Sequence, residues 1–359
     1  MASASGEPST AGLVVVDLDD SGASSSWRDL VVVAAAAEAG KRMGTGTTRT
    51  NAGAGAARLW VYFRGGCAGG TTTNATLELL TLCYDSIATT APCLDVVPAL
   101  QSVGWQPADV ARAMPSETAL YVAPSSASGV VGAGAGVTID AIRRSREELG
   151  LPPLVTTPVT IDVAAEARTR TDAKGRASEG GGSEGTPLRF TKVSVGGTFD
   201  RMHAGHRLLL AAASAVAGAP PATIYLGVTG DELLVSKAHR DLIQTYETRA
   251  NAARAFLEST RPSVADSTAE AEGDVARVCV RVGPLDNSPP LAATVEAMEA
   301  LVISRETVAG GEALNALRAE AGFRPITLAV VGLVGGSGDG DGDKLSSTAL
   351  RGEEATSRS

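Results

Sequence analysis

The chain has 359 residues, 44% of them hydrophobic and 20% charged, and carries a formal net charge of −9. That length exceeds the usual domain of about 100–150 residues and argues for two domains, while the composition excludes wholesale disorder and collagen-like repeats. The acidic balance supplies no overall field for nucleic acid or an anionic membrane surface, so neither is expected as a partner.

The opening MASASGEPSTAG has neither the apolar core of a secretory signal nor the arginines of a transit peptide. No apolar run approaches the roughly 18 residues of a membrane span, and a cytoplasmic location is the expectation. Runs at 13–20, 58–63, 94–100, 119–123 and 158–163 read as strands, with helical periodicity around 74–88 and 138–149. Residues 1–163 are therefore expected to form an α/β domain, of a fold and role that the pattern does not specify. This part holds all three tryptophans, Trp27, Trp60 and Trp105, and no histidine, which suits a packed body without acid–base apparatus. GAGAG at 132–136 lacks the spacing of a dinucleotide loop and has no clear strand before it, so it reads as a flexible loop. The four cysteines, Cys67, Cys83, Cys93 and Cys279, make no CxxC pair and read as reduced thiols.

Residues 164–187, AAEARTRTDAKGRASEGGGSEGTP, hold too little apolar surface to offset the entropy of ordering them, and are expected to be a flexible linker. Beyond them, strands at 189–195, 222–228, 275–282, 300–304 and 326–332 alternate with helices at 204–217, 230–236, 245–260, 311–321 and one starting near 346. Such alternation implies a doubly wound, five-stranded parallel sheet with helices on both faces, and a ligand site beyond the carboxyl ends of its strands. This second domain spans 188–352 and leaves a tail at 353–359.

The chemistry-bearing segment sits where that rule puts it. In VSVGGTFDRMHAGH at 193–206, a β-branched strand runs into two glycines and then two histidines three residues apart. Gly196 and Gly197 let the backbone turn and approach a ligand closely. A helix starting near Ala204 aims free N–H groups and the positive end of its dipole at the same place, which makes an anion site flanked by His203 and His206. A histidine pair near a helix start also serves as a cap or a core feature, and both readings stand at this stage. The third histidine, His239, follows in the same domain.

Residues 196–210, GGTFDRMHAGHRLLL, closely resemble the signature of the HxGH nucleotidyltransferases, and within that superfamily the eukaryotic and archaeal type of pantetheine-phosphate adenylyltransferase. Further matches follow in order: GVTGDELLVSK at 227–237, LIQTYETRANAARAFL at 242–257, LVISRETVAGGEALNALR at 301–318 and KLSSTALR at 344–351. The resemblance covers about residues 190–352. It implies a Rossmann-like fold and transfer of the adenylyl group of ATP, accompanied by Mg²⁺, to 4′-phosphopantetheine, giving dephospho-coenzyme A and pyrophosphate in coenzyme A biosynthesis. Such a transfer needs positioning and neutralised charge rather than a side-chain nucleophile, and no protein metal ligands are expected.

By the same resemblance His203 and His206 donate to the triphosphate, and Gly196, Gly197, Thr198 and Phe199 lie at the reacting phosphates. Lys237 grips the acceptor phosphate and the α-phosphate, and Arg249 of TYETR binds substrate. Ser346, Ser347 and Thr348, with Arg351, hold the β- and γ-phosphates. Plainer roles compete for several of these residues: a turn for Thr198, a solvated surface for Lys237 and Arg249, and an ordinary helix cap for the serines.

Two departures qualify the resemblance. Bacterial members of this activity carry an arginine pair near the fourth strand, where this chain has Arg305 in VISRET. No GxxxxGK[ST] loop occurs, so phosphorylation of dephospho-coenzyme A is expected to fall to a separate kinase. GGSGDGDGD at 335–343 imitates a calcium loop but places Lys344 and Leu350 where glycine and glutamate are needed, and reads as an acidic loop. A cytidylyltransferase of the same superfamily, or a catalytically silent nucleotide-binding scaffold, are the alternatives. The oligomeric state is left open by the sequence.

Overall fold

The computed structural model describes residues 11–17, 58–65, 72–91, 94–122, 133–158, 186–218, 221–262, 278–335 and 346–358. The chain divides into two compact units, Met1–Gly70 with Thr89–Gly182, and Thr71–Ala88 with Ser183–Ser359. The linker expected at 164–187 lies, up to residue 185, outside the described residues, as do Trp27, Cys67, Cys93 and most of the acidic loop.

Up to residue 158 the elements are β1 (Ala11–Asp17), β2 (Arg58–Arg64), α1 (Asn74–Thr90), β3 (Asp95–Leu100), α2 (Pro107–Ala113), β4 (Thr118–Val122), α3 (Ala133–Glu148) and β5 (Val155–Pro158). The five strands form one parallel sheet in the order β3-β2-β1-β4-β5. Buried Leu13, Val14, Val16, Val61 and Phe63 form near-continuous apolar runs, as a sheet covered on both faces requires. Trp60 meets Trp105 edge-on with ring centroids 5.6 Å apart. GAGAG is not a loop. Its last four residues open α3, because packing of Ala135, Ile139 and Ile142 in the core overrides the poor helix propensity of glycine. The helix α2, absent from the periodicity, is short and starts on Pro107, with Asp109 accepting from the Gln106 N–H at 3.0 Å.

The second sheet is built from β6 (Lys192–Gly197), β7 (Ala222–Thr229), β8 (Val278–Leu285), β9 (Ala300–Ser304) and β10 (Thr327–Val331), in the order β10-β9-β6-β7-β8, all parallel. Its helices are α4 (Ala204–Val216), α5 (Tyr246–Ser259), α6 (Leu291–Thr294), α7 (Val308–Glu320) and α8 (Ser347–Arg358). The α/β, doubly wound, five-stranded architecture matches the sequence reading, with β8 carried on through Gly283 and Pro284 to Leu285. α4 is apolar nearly all round and buried along most of its length, including Leu208, Leu210 and Ala211 through Ala213.

α1 begins in the first half of the sequence, yet residues 71–88 belong to the second unit. Thr72 O accepts from the Leu188 N–H (2.8 Å) and Thr72 Oγ1 donates to Ala215 O (2.6 Å). Thr81 Oγ1 accepts from the Gly332 N–H (3.2 Å) and Asp85 Oδ1 from the Gly335 N–H (2.8 Å), so the helix braces the carboxyl end of β10. No described helix is long and apolar enough to cross a membrane.

Candidate active site

β6 and β9, the first and fourth strands of the second sheet, lie side by side, and their chain connections leave in opposite directions. A crevice must open beyond their carboxyl ends. It is a cavity of about 820 Å³, within the size of small-molecule sites. Its floor depends on glycine. Gly196, Gly227 and Gly283 stand in register across β6, β7 and β8, and Leu285 lies down over the first two. A Cβ on Gly196 would come to 2.9 Å, and one on Gly227 to 2.7 Å, of the Leu285 side chain. The glycine row thus lets an apolar side chain line the cavity without closing it.

After β6 the chain makes a tight double bend in which two non-glycine residues, Phe199 (φ 51°) and Arg201 (φ 54°), take left-handed backbone conformations. Each costs about 1–2 kcal/mol in isolation, so the bend has to be held. Arg249, fully buried, holds it from behind: its Nη1 donates to Thr198 O (3.0 Å) and Thr229 O (2.7 Å), and its Nε to Gln244 O (2.9 Å). Gln244 Oε1 in turn accepts from the Arg201 N–H at 2.9 Å. The bend delivers His203 as the N-cap residue of α4, and the His203 and His206 rings stack with centroids 3.9 Å apart. Gly205 between them makes the stack possible, since a Cβ there would sit 3.2 Å from the His203 ring.

A second helix start faces the same cavity. Ser346 Oγ caps α8 by accepting from the Ala349 N–H (3.2 Å), Ser347 Oγ donates to Asp200 O (2.9 Å), and Thr348 Oγ1 accepts from Arg351 Nη2 (3.1 Å). The three hydroxyls are thus engaged with protein groups, and the first-turn N–H groups of Ser347 and Thr348 are the donors left for an anion. Two helix N-termini and the cation Lys237 therefore line one cavity, together with Arg351, whose guanidinium is held by Asp200, Ala238 O and Thr348 Oγ1, an arrangement that suits polyanionic phosphate.

A buried ionic network fixes this wall. Asp200 Oδ2 pairs with Arg351 Nη1 (2.6 Å) and Arg201 Nη1 (2.9 Å), while Oδ1 accepts from the Gln244 N–H (3.1 Å). Arg201 Nε donates to Glu354 Oε2 at 3.1 Å, and its Nη2 reaches the same oxygen. Two carboxylates balance two guanidiniums, which is what makes burial of four charges tolerable. At His206, burial first, then His203 and Arg207, holds the imidazole pKa well below its usual 6.5. Its Nδ1 is buried without a hydrogen-bond partner among the described residues.

Of the residues singled out by sequence, the structure brings Gly196, Gly197, Thr198, His203, His206, Lys237, Ser346, Ser347, Thr348 and Arg351 to the cavity. Phe199 and Arg249 lie behind its wall, Phe199 with its ring centroid 5.3 Å from that of His206. Asp200, Arg201, Glu354 and Leu285 were not singled out. Asp200 stands inside GTFD and was within reach of the motif, whereas Glu354 has no local signal at all. Among the described residues no group of three or more His, Cys, Asp or Glu side chains gathers to hold a metal.

No protein-family model matches the chain. It is 35% identical over 169 residues to the phosphopantetheine adenylyltransferase of Methanopyrus kandleri, covering 47% of this chain and 94% of that protein. The corresponding protein of Pyrococcus abyssi is 32% identical over 164 residues, 46% of this chain and 90% of that one. The phosphopantetheine adenylyltransferase of Saccharomyces cerevisiae is 34% identical over 164 residues, 45% of this chain and 48% of that one, so the match spans about half the length of the yeast relative. Among solved structures, a protein of unknown function from Archaeoglobus fulgidus matches with a TM-score of 0.30 and 25% identity over 39% of this chain and 88% of that chain.

Proposed function

The chain belongs to the phosphopantetheine adenylyltransferase family, a family of nucleotidyltransferases, and on that premise we propose that its second unit transfers the adenylyl group of ATP to 4′-phosphopantetheine. A phosphate oxygen of the acceptor attacks the α-phosphorus in line, the bond to the bridging oxygen of the β-phosphate breaks, and pyrophosphate leaves with that electron pair; dephospho-coenzyme A is the other product. The acceptor oxygen is already anionic, so neither a base nor a covalent enzyme intermediate is needed. The observation that carries this reading is the convergence of two helix N-termini, the stacked His203–His206 pair, Lys237 and Arg351 on one cavity beyond the strand ends.

The roles follow from those positions. Thr198, His203, His206 and Lys237 offer donors where the charge moves between acceptor, α-phosphate and leaving group. The Ser347 and Thr348 N–H groups and Arg351 take the β- and γ-phosphates. Phe199 and Arg249 are positioning residues: one backs His206, the other ties down the bend that carries Thr198. Mg²⁺ enters as part of the substrate, Mg·ATP, and supplies positive charge to the phosphate oxygens.

The test is pyrophosphate release from each of the four nucleoside triphosphates, with and without phosphopantetheine. Release from ATP that depends on phosphopantetheine supports the assignment. A preference for CTP with an alcohol phosphate would replace it by the cytidylyltransferase reading.

A further inference from the structure

The first unit repeats the strand order of the second. Counted from the first strand of each, both sheets run third, second, first, fourth, fifth. Many doubly wound sheets share an order, but here the likeness extends to side chains. In α3 the buried Arg146 donates from Nε to Pro152 O (2.9 Å), from Nη1 to Ala111 O of α2 (3.4 Å) and from Nη2 to Ser116 O ahead of β4 (2.7 Å). In α7 the buried Arg318 donates from Nε to Arg324 O (2.9 Å), from Nη1 to Ala292 O of α6 (2.9 Å) and from Nη2 to Glu296 O ahead of β9 (2.9 Å). Each arginine precedes a left-handed glycine, Gly150 (φ 67°) and Gly322 (φ 75°). Each also accepts at its own carbonyl from the N–H just beyond that glycine, Leu151 or Phe323, at 2.8 Å. The sequences agree along this hook: REELGLPPL at 146–154 against RAEAGFRPI at 318–326.

The two units differ at the carboxyl ends of their first three strands. Where the second unit has the row Gly196–Gly227–Gly283, the last register rows across β1, β2 and β3 are Val14–Val61–Pro98, Val15–Tyr62–Ala99 and Val16–Phe63–Leu100. Every one of these side chains is buried. No backbone is bared there to a phosphate. No histidine precedes His203 in the sequence.

We infer that the first unit is a second copy of the transferase fold in which side chains fill the place of the glycine row, so that the first unit binds no nucleotide and the second unit does. The inference rests on the reading of the second unit's cavity as the ATP site. It assigns the first unit a non-catalytic role despite its fold.

The experiment is calorimetric titration of the full-length chain with Mg·ATP, followed by photolabelling with 8-azido-ATP and mass-spectrometric mapping of the labelled peptides. One ATP per chain is expected, with label confined to second-unit peptides. Gly196→Val, which gives the glycine row of the second unit the side chain that stands at Val16 in the first, is expected to abolish binding without changing the far-ultraviolet circular dichroism. Two ATP per chain, or label in a peptide from 11–65 or 94–158, overturns the inference and leaves the transfer assignment standing if phosphopantetheine is still adenylylated. Absence of any ATP binding by the native chain overturns both.

Discussion

His206 is 9% exposed and lies against His203. With its pKa held well below 6.5 by burial first and then by His203 and Arg207, it is neutral near pH 7 before substrate binds. Below about pH 6.5 the unfolded chain binds a proton at this position that the folded chain refuses, so His206 makes stability fall as the pH drops from 6.5 towards the folded value. A bound triphosphate reverses the local balance and favours the imidazolium. ATP binding is therefore expected to take up a proton and to tighten as the pH falls, and calorimetry in two buffers of different ionisation enthalpy reads that uptake; equal heats in both would contradict it. His206→Ala is expected to lower kcat by about 10²–10³-fold with the fold intact, the scale of losing one preorganised donor; unchanged turnover in a folded variant would remove the ring from the mechanism. The pair was legible in the sequence because glycine and two histidines at fixed spacing before a helix carry their own chemistry. Phe199 and Arg249 were less legible: sequence shows a ring and a donor but not which way they face, and here both face the protein. The Asp200–Arg351 pair joins residues 151 apart, beyond any local pattern.

Among the elements, α8 lines the cavity with Ser347, Thr348 and Arg351 and is tied to the bend by two ion pairs, Arg351 with Asp200 and Glu354 with Arg201, and by Ser347 Oγ donating to Asp200 O. Glu354 lines no part of the cavity, so its effect on substrate runs through Arg201. In Glu354→Gln the Arg201 guanidinium loses its counter-charge and competes with Arg351 for Asp200. The expected result is a KM for ATP raised about tenfold, equivalent to about 1.4 kcal/mol, with a smaller change in kcat and recovery in Glu354→Asp. An equal fall in kcat with KM unchanged would instead place Glu354 in the chemical step. Strands β6, β7, β9 and β10 were readable because β-branched runs bounded by glycine or polar turns have one reading in an alternating chain. The opening of α3 was not, since propensity argues against a glycine-rich helix start and only the core contacts of Ala135 and Ile139 decide it.

For the whole molecule, the sequence showed two α/β halves but not that they share one fold, because where the second has its glycine row the first has Val16, Phe63 and Leu100. Nor did it show that α1 serves the second unit. The fragment 188–359 lacks Thr72, Thr81 and Asp85 and so loses four hydrogen bonds made by Leu188, Ala215, Gly332 and Gly335. At about 1 kcal/mol each and roughly 2–4 °C per kcal/mol, its Tm is expected about 10 °C below that of the second unit in the full chain. Calorimetric scans of both proteins check this, and equal values would show that α1 contributes nothing to the site's support.

The transfer itself is tested most directly by quantifying products after incubating the full-length chain with Mg·ATP and 4′-phosphopantetheine, using mass spectrometry for nucleotides and an enzymatic assay for pyrophosphate. Dephospho-coenzyme A and pyrophosphate are expected in equal amounts, each matched by one ATP consumed. Formation of ADP and phosphate instead, or no product in the presence of bound ATP, would contradict an adenylyl transfer at this site.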